Sequence, residues 1–325
     1  MTLRKTIRGL VPSLLLLAAT LSPTAHAAYP DKPLRLIVPW AAGGSTDAFA
    51  RALAKRMSET MGQSVVVENR SGASGRIGLE TAAKAAPDGY TLAVVELPHA
   101  IAPAVFTQMP YDLLRDFAPV SLMGESPLIL FADSGRYKAG DIQRFLADAR
   151  KAGPLQMATS GNGSISHLSA KLLEAQADVK VDVVPYRGSA PALTDVAAQL
   201  VAGHFATLAS GSSLLGTGKL SALMVTGATR LPALPTVPTA AEARLPGMQL
   251  NQWWAMVVPA KTPPEIVARL EKEVNQALQH GATRDRLSTQ GIELKGSSRE
   301  QLGAFLRSEV ARWAKVVKDA GIQPE

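Results

Sequence analysis

The 325-residue chain contains no cysteine. That single absence excludes a disulfide framework, a Cys-ligated zinc or iron-sulfur centre, a thiol nucleophile and a lipidated N-terminal cysteine. Aromatic residues make up only 5% of the chain. The basic residues form no run of five or six and are not interleaved with aromatics, so no nucleic-acid partner is expected. Histidine is also rare, with five copies. His99, His167, His204 and His280 form no HExxH pair, and there is no GxSxG elbow. No catalytic residue, metal site or cofactor motif is therefore expected. What remains is ordinary globular material: 46% hydrophobic and 19% charged residues, enough to bury one large core or two lobes.

The first 27 residues read as an address. Arg4, Lys5 and Arg8 form a basic start, residues 10–21 are apolar, and Ala25-His26-Ala27 carries small residues where signal peptidase needs them, the pattern of a cleaved secretory signal. About 12 apolar residues fall short of the roughly 20 that span a bilayer. The formal charge of +7 loses three basic and no acidic residues with the signal, so 31 basic and 27 acidic residues leave +4. The mature chain is expected to be a soluble, unanchored monomer in an exported compartment.

Along that chain, residues 34–39 form a β-rich run stopped by Pro39, and residues 41–46 form a small-residue loop. The spacing of Phe49, Leu53 and Met57 predicts a helix over 47–61 with Ser45, Thr46 and Asp47 as competent N-caps. A strand at 64–68, a loop at 69–75, a helix to about Ala85, the turn Pro87-Asp88-Gly89 and a strand at 90–95 follow. Alternating strands and helices predict a parallel sheet covered by helices. The pattern repeats with a strand at 154–158, a loop at 159–164, a helix over 165–175, a strand at 181–185 and a helix over 190–201. The pair Ile37-Val38-Pro39-Trp40 and Val183-Val184-Pro185-Tyr186 echoes across the halves.

Two amphipathic helices close the chain, spaced by Ile266, Leu270, Val274 and Leu278, then by Leu302, Phe305, Leu306, Trp313, Val316 and Val317. The fold class is α/β with two lobes: residues 28–124 plus 250–325 in lobe 1, and 125–249 in lobe 2. Crossings are expected near 117–124 and 254–259, and two crossings make a hinge.

A small-residue loop entering a helix offers unpaired N–H groups and the positive end of the helix dipole to an anion. Residues 41–46 fit, without the lysine of a P-loop or the glycine spacing of a dinucleotide fold. Such a loop can equally be a plain helix start. Similar loops at 71–75 and 160–164 point to a cleft at strand ends, able to hold both ends of a small dianion. His167 is either a cleft contact or a helix-terminus histidine. Arg187 is either a bidentate carboxylate partner or an exposed turn arginine. Trp253-Trp254 reads as a lobe-crossing strand with one aromatic in the core, and His204 and His280 as packing or surface residues. A hydrolase using Ser45 or Ser164 would need a positioned base, for which there is no motif.

Residues 29–33, 37–47, 65–70, 85–91, 116–120, 184–188, 191–195 and 234–239 together resemble one family: the periplasmic solute receptors of tripartite tricarboxylate transporters, or Bug receptors. The likeness spans nearly the whole mature chain. It implies a two-lobe Venus flytrap of the type II periplasmic binding proteins, each lobe a mixed sheet flanked by helices. Such receptors close on a small carboxylate and present it to integral membrane transporter subunits. A sensor kinase is the alternative recipient.

The resemblance puts the proximal carboxylate against Trp40, Ala42, Gly43, Gly44, Ser45, Thr46, Ala73, Ser74 and Gly75. The distal end would meet Ser160, Ser164, His167, Arg187 and Ser189. The chain departs from the family pattern at three points. Arg76 follows Gly75 where asparagine is usual, residues 204–208 lack a common aspartate, and residues 95–99 replace a run of small hydroxyl residues. The lost aspartate favours a simple carboxylate over an amino acid, with Glu96 able to supply the missing negative charge.

Overall fold

The computed structural model describes residues 29–319, so the signal expected at 1–27 lies outside the described residues. The first strand is β1 (Leu34–Val38). It leads through the loop at 39–44 into α1 (Ser45–Met61), where Phe49, Leu53, Met57 and Met61 bury one face at four-residue spacing. Gly62, left-handed at φ 69°, ends the helix with its N–H on the Ser58 carbonyl, the usual glycine stop. The start differs from expectation. Gly44 is the N-cap, without a side-chain bond. Asp47 instead folds back onto the Gly43 N–H at 3.1 Å, and Thr46 turns inward.

The next elements are β2 (Val65–Asn69), a single 3-10 turn (Ala73–Gly75), α2 (Arg76–Ala83), β3 (Thr91–Glu96) and α3 (Leu97–Val105). Then come β4 (Phe117–Pro127), β5 (Ile129–Asp133), α4 (Ile142–Ala152), β6 (Leu155–Thr159), α5 (Ile165–Ala177), β7 (Val181–Pro185) and α6 (Ser189–Ala197). The chain continues with β8 (Gly203–Ala206), α7 (Leu208–Gly216), β9 (Leu220–Val225) and β10 (Asn251–Pro259). It ends with α8 (Pro264–Gln279), α9 (Gly281–Ser288), β11 (Glu293–Leu294) and α10 (Arg299–Asp319).

Two mixed sheets result. One runs β11-β4-β10-β3-β1-β2 and the other β7-β6-β8-β5-β9. In the first, β1 pairs in parallel with β2 and β3, and β10 runs antiparallel between β3 and β4. In the second, β6 pairs in parallel with β7 and β8, and β5 runs antiparallel between β8 and β9. The two sheets therefore share one plan, in which β6 corresponds to β1 and β7 to β2. The sequence echo links β1 to β7, one a strand with neighbours on both sides and the other an edge. It marks similar local chemistry and not equivalent positions.

The chain leaves the first sheet where β4 gives way to β5 and returns at β10. The two passages are tied together. The Thr226 N–H donates to the Leu128 carbonyl, the Leu128 N–H donates to the Thr226 hydroxyl at 2.8 Å, and that hydroxyl donates to the Leu250 carbonyl at 2.7 Å. The C-terminal helices return to the first sheet, α8 against α1 and β4, and α10 against α3 and β4.

Candidate ligand-binding cleft

The carboxyl ends of β1, β3, β6, β7 and β8 open on one cleft of about 660 Å³ including its mouth. Each of these strands is followed by a helix whose opening residues line that cleft. They are Gly44 to Thr46 of α1, Pro98 of α3, Ser164 and Ile165 of α5, Gly188 to Ala190 of α6, and Thr207 and Ser210 of α7. Five positive helix ends aimed at one space make it a site for negative charge. Between them Pro98, Leu128, Ile165 and Phe205 supply an apolar lining.

Of the residues marked by the sequence, Trp40, Ala42, Gly44, Ser45, Thr46, Ser160, Ser164, Arg187 and Ser189 line this cleft. Ala73 and Ser74 line an adjoining cavity that also touches Trp40, Ser160 and Arg187. Gly43, Gly75 and His167 line neither. The Gly43 N–H is taken by Asp47. Gly75, at φ +86°, packs so closely on His99 that a Cβ would sit 2.5 Å from its Nε2. The His167 Nδ1 accepts the Gly163 N–H at 2.9 Å. Arg76 borders the adjoining cavity with its guanidinium 3.6 Å from the Phe106 ring centroid.

The floor of the cleft is a fixed network. The Trp254 indole N–H donates to Thr46 Oγ1 at 2.9 Å. An indole cannot accept, so the Thr46 hydroxyl proton is directed to Glu96 Oε1 at 2.5 Å. Gln252 Nε2 donates to Glu96 Oε2, also at 2.5 Å. The Glu96 backbone N–H donates to His99 Nδ1 at 2.9 Å, which puts the neutral ring's proton on Nε2. Burial pushes the Glu96 carboxyl up to about 7, against the opposing pull of its hydrogen bonds from Thr46 and Gln252 and of the Trp40 indole, which lies near the carboxyl without completing a hydrogen bond. Burial also lowers His99 to about 3. Trp40 Nε1 and Gln252 Oε1, both at this cleft, are buried without a hydrogen-bond partner.

The opposite wall is built from hydroxyls. Ser160 and Ser189 lie 3.0 Å apart, as do Ser164 and Ser166, and Ser164 caps α5 by accepting the His167 N–H. Arg187 is exposed and, among the described residues, forms no ion pair. The two walls touch where the Ser74 hydroxyl donates to the Asn162 carbonyl. Gly163, at φ +73°, lies so close to Phe106 that a Cβ would come within 2.8 Å of the ring.

A family model described as the tripartite tricarboxylate transporter family receptor matches residues 49–322. The chain belongs to this receptor family. Solved structures agree. The periplasmic binding protein BugD is 31% identical with a TM-score of 0.87, covering 91% of this chain and all of its own. MatC of Rhodopseudomonas palustris, solved with malate, is 34% identical with a TM-score of 0.84 over 89% of this chain and 100% of its own. Rpa4515 of R. palustris, solved with adipate, is 35% identical with a TM-score of 0.87 over 91% of this chain and 100% of its own. The fold is that of a two-lobe periplasmic binding protein. The chain is a receptor and not an enzyme, and none of its described helices is long and apolar enough to cross a membrane.

Ser164 is engaged as a helix cap, and the imidazole nearest it in sequence, His167, faces Gly163. Both tryptophans of β10 are buried. Trp253 donates to Glu309 at 2.8 Å, so neither walls the cleft, although Trp254 fixes Thr46 beneath it. The residue least visible in the sequence is Gln252. It is a polar member of a buried strand, and its only signal is that polarity.

Proposed function

We propose that the receptor captures a small carboxylate between its lobes and delivers it to the membrane subunits of a tripartite tricarboxylate-type transporter. The carrying observation is the convergence of five helix N-termini on one cleft, with an unpaired arginine on the far wall. One carboxylate would accept from the N–H groups and hydroxyls at 44–46 and from the Trp40 indole. The distal end would meet Ser160, Ser189 and Arg187. The apolar lining of Pro98, Leu128, Ile165 and Phe205 suits a short hydrocarbon body. Relatives solved with malate and adipate support the same ligand class.

In this reading residues 28–124 with 250–325 form one lobe and 125–249 the other. The lobes close about the ties of Leu128, Thr226 and Leu250 in a hinge motion, with Ser74 and Asn162 meeting across the gap. The receptor acts as a freely diffusing periplasmic monomer. Calorimetry and thermal shift against di- and tricarboxylates, aromatic acids and amino acids test it, alongside mass spectrometry of ligand released on denaturation. A carboxylate is expected to bind and raise Tm. Silence across the whole panel overturns carboxylate capture.

A further inference from the structure

Glu96 occupies an unusual place: an acidic side chain only 3% exposed, at the floor of a cleft built for anions. Its neighbours supply no compensating cation. From β10 come Gln252 and Trp254, and from α1 comes Thr46, all neutral. The adjacent Asp47 carboxylate is turned away onto Arg51, Asn69 and Gly43. His99 of α3 shares a capping box with Glu96, its ring Nδ1 accepting the Glu96 backbone N–H and its own backbone N–H donating to the Glu96 side chain, and brings no charge. Across the cleft, His204 of β8 is buried on the Ala158 carbonyl, and Arg187 lines the cleft and is exposed. If Glu96 is ionised, the positive field of the five helix ends already holds an anion. A ligand carboxylate entering this low-dielectric space then meets a like charge.

We propose that Glu96 is a specificity residue that makes capture proton-coupled: the cleft takes an anionic ligand together with one proton from water, held on Glu96. The proposal rests on the carboxylate-receptor reading above and adds to it. It also accounts for two unpaired atoms. With Glu96 Oε2 protonated, the Gln252 amide turns over so that Oε1, which lacks a partner, accepts the new O–H. Gln252 Nε2 then joins the Trp40 indole N–H, also without a partner, as a second donor for the ligand carboxylate. With Glu96 ionised, Gln252 Nε2 stays on Glu96 and the Gln252 Oε1 acceptor faces the ligand beside the negative carboxylate, which repels it. Neutral Glu96 thus selects carboxylates, and a receptor for a ligand ammonium would need the opposite charge state.

Burial already holds the empty site near neutrality, and a bound anion raises it further. His99 and His204, held down to about 3 and about 4, stay neutral between pH 5 and 8. Affinity is therefore highest below about pH 7. Above it, Kd rises about tenfold per pH unit until the carboxyl of the complex itself ionises.

Calorimetry with adipate at pH 8, in buffers of different ionisation enthalpy, reads the proton directly. Wild type is expected to take up close to one proton per ligand. Glu96→Gln, neutral at every pH, is expected to take up none, to bind about tenfold more tightly than wild type at pH 8, and to show a flat Kd from pH 6 to 9. Its near-ultraviolet circular dichroism checks that it is folded, and Glu96→Asp, which keeps the titrating group, should keep the uptake. Binding without proton uptake by wild type overturns this inference and leaves the receptor reading intact. So does a preference for L-glutamate over adipate that Glu96→Gln abolishes. If neither wild type nor variant binds any carboxylate of the panel, the receptor reading falls and this inference with it.

Discussion

The two walls of the cleft are made from equivalent parts of one sheet plan, yet they differ in how firmly their polar groups are committed. On the first lobe, Trp254, Thr46, Glu96 and Gln252 form a chain in which all four residues are buried. On the second, serine hydroxyls bond to one another, and Arg187 is exposed and forms no ion pair among the described residues. A buried network with one satisfied arrangement is preorganised and intolerant of change. A hydroxyl wall adapts to ligands of different length at small cost. Under the proposed function, the difference would give charge recognition to the first wall and length or shape to the second.

The largest expected effect comes from closing the preorganised wall. A Cβ added to Gly44 meets nothing nearer than the Ala41 carbonyl at 4.0 Å, and Gly44 has φ −81°. The fold should therefore accept Gly44→Val at a cost of roughly 1 kcal/mol for the poorer N-cap, while the valine fills the anion's approach. Carboxylate affinity should drop by roughly 100-fold, about 3 kcal/mol. Gly43→Val is the contrast: at φ +90° it should cost about 1 kcal/mol or more of stability through backbone strain. Normal carboxylate binding by Gly44→Val would remove the start of α1 from the site.

The next effect is on stability and tests whether the network carries a titrating charge. The Glu96 carboxyl is raised from 4.5 to about 7 in the folded protein. Between those values the native state holds a proton that the unfolded chain has released. Stability from this group is therefore full below about pH 4.5, declines as pH rises toward 7, and levels off above it. The loss is up to roughly 3 kcal/mol at about 1.4 kcal/mol per unit. Glu96→Gln should remove that decline, so urea unfolding at pH 5 and pH 8 should differ less in the variant. An identical pH dependence in both proteins would show that Glu96 does not titrate in this window.

How much of this was legible in the sequence follows the same division between local and long-range information. Val181–Pro185 is a strand at the residues its β-branched run predicts, and α5 starts at Ile165 as the small-residue loop before it implies. Those signals are local. Most of the loop residues marked as anion contacts line the cleft for the same reason: small residues at a strand end are a local feature. The floor is not. Gln252 meets Glu96 across 156 positions, and no periodicity encodes which strand lies beside which. The same limit hid Leu128 and Phe205, apolar residues indistinguishable in sequence from core. The start of α1 misled because Ser45, Thr46 and Asp47 are all good caps, yet tertiary partners recruited Thr46 inward and turned Asp47 back onto Gly43.

A smaller effect is expected on the adaptable wall. Arg187 is exposed, so its contact with a distal carboxylate is partly screened and worth roughly 1.4 kcal/mol, about tenfold in Kd. Arg187→Ala should weaken a dicarboxylate by that factor and leave a monocarboxylate with the same body nearly unchanged. Raising salt should narrow the gap. Equal losses for both ligands would move Arg187 from the distal end to the proximal one and erase the division between the walls.

The smallest effect concerns the contact between the walls. The Ser74 hydroxyl donates to the Asn162 carbonyl, from a residue held at φ 55° beside the adjoining cavity. Ser74→Ala keeps the backbone and deletes the donor, so closure loses one hydrogen bond, worth roughly 1 kcal/mol net. That loss is felt after the ligand has entered. Stopped-flow binding should therefore show an unchanged association rate and a dissociation rate about fivefold faster, the usual partition for an interaction made only in the closed complex. Gly163→Ala strains the same junction differently, by driving a Cβ into Phe106, and should slow closure as well as weaken it. If Ser74→Ala leaves the dissociation rate untouched, the Ser74 bond does not hold the proposed closed complex together, and the proposed hinge at Leu128, Thr226 and Leu250 would have to do so without help from the rim.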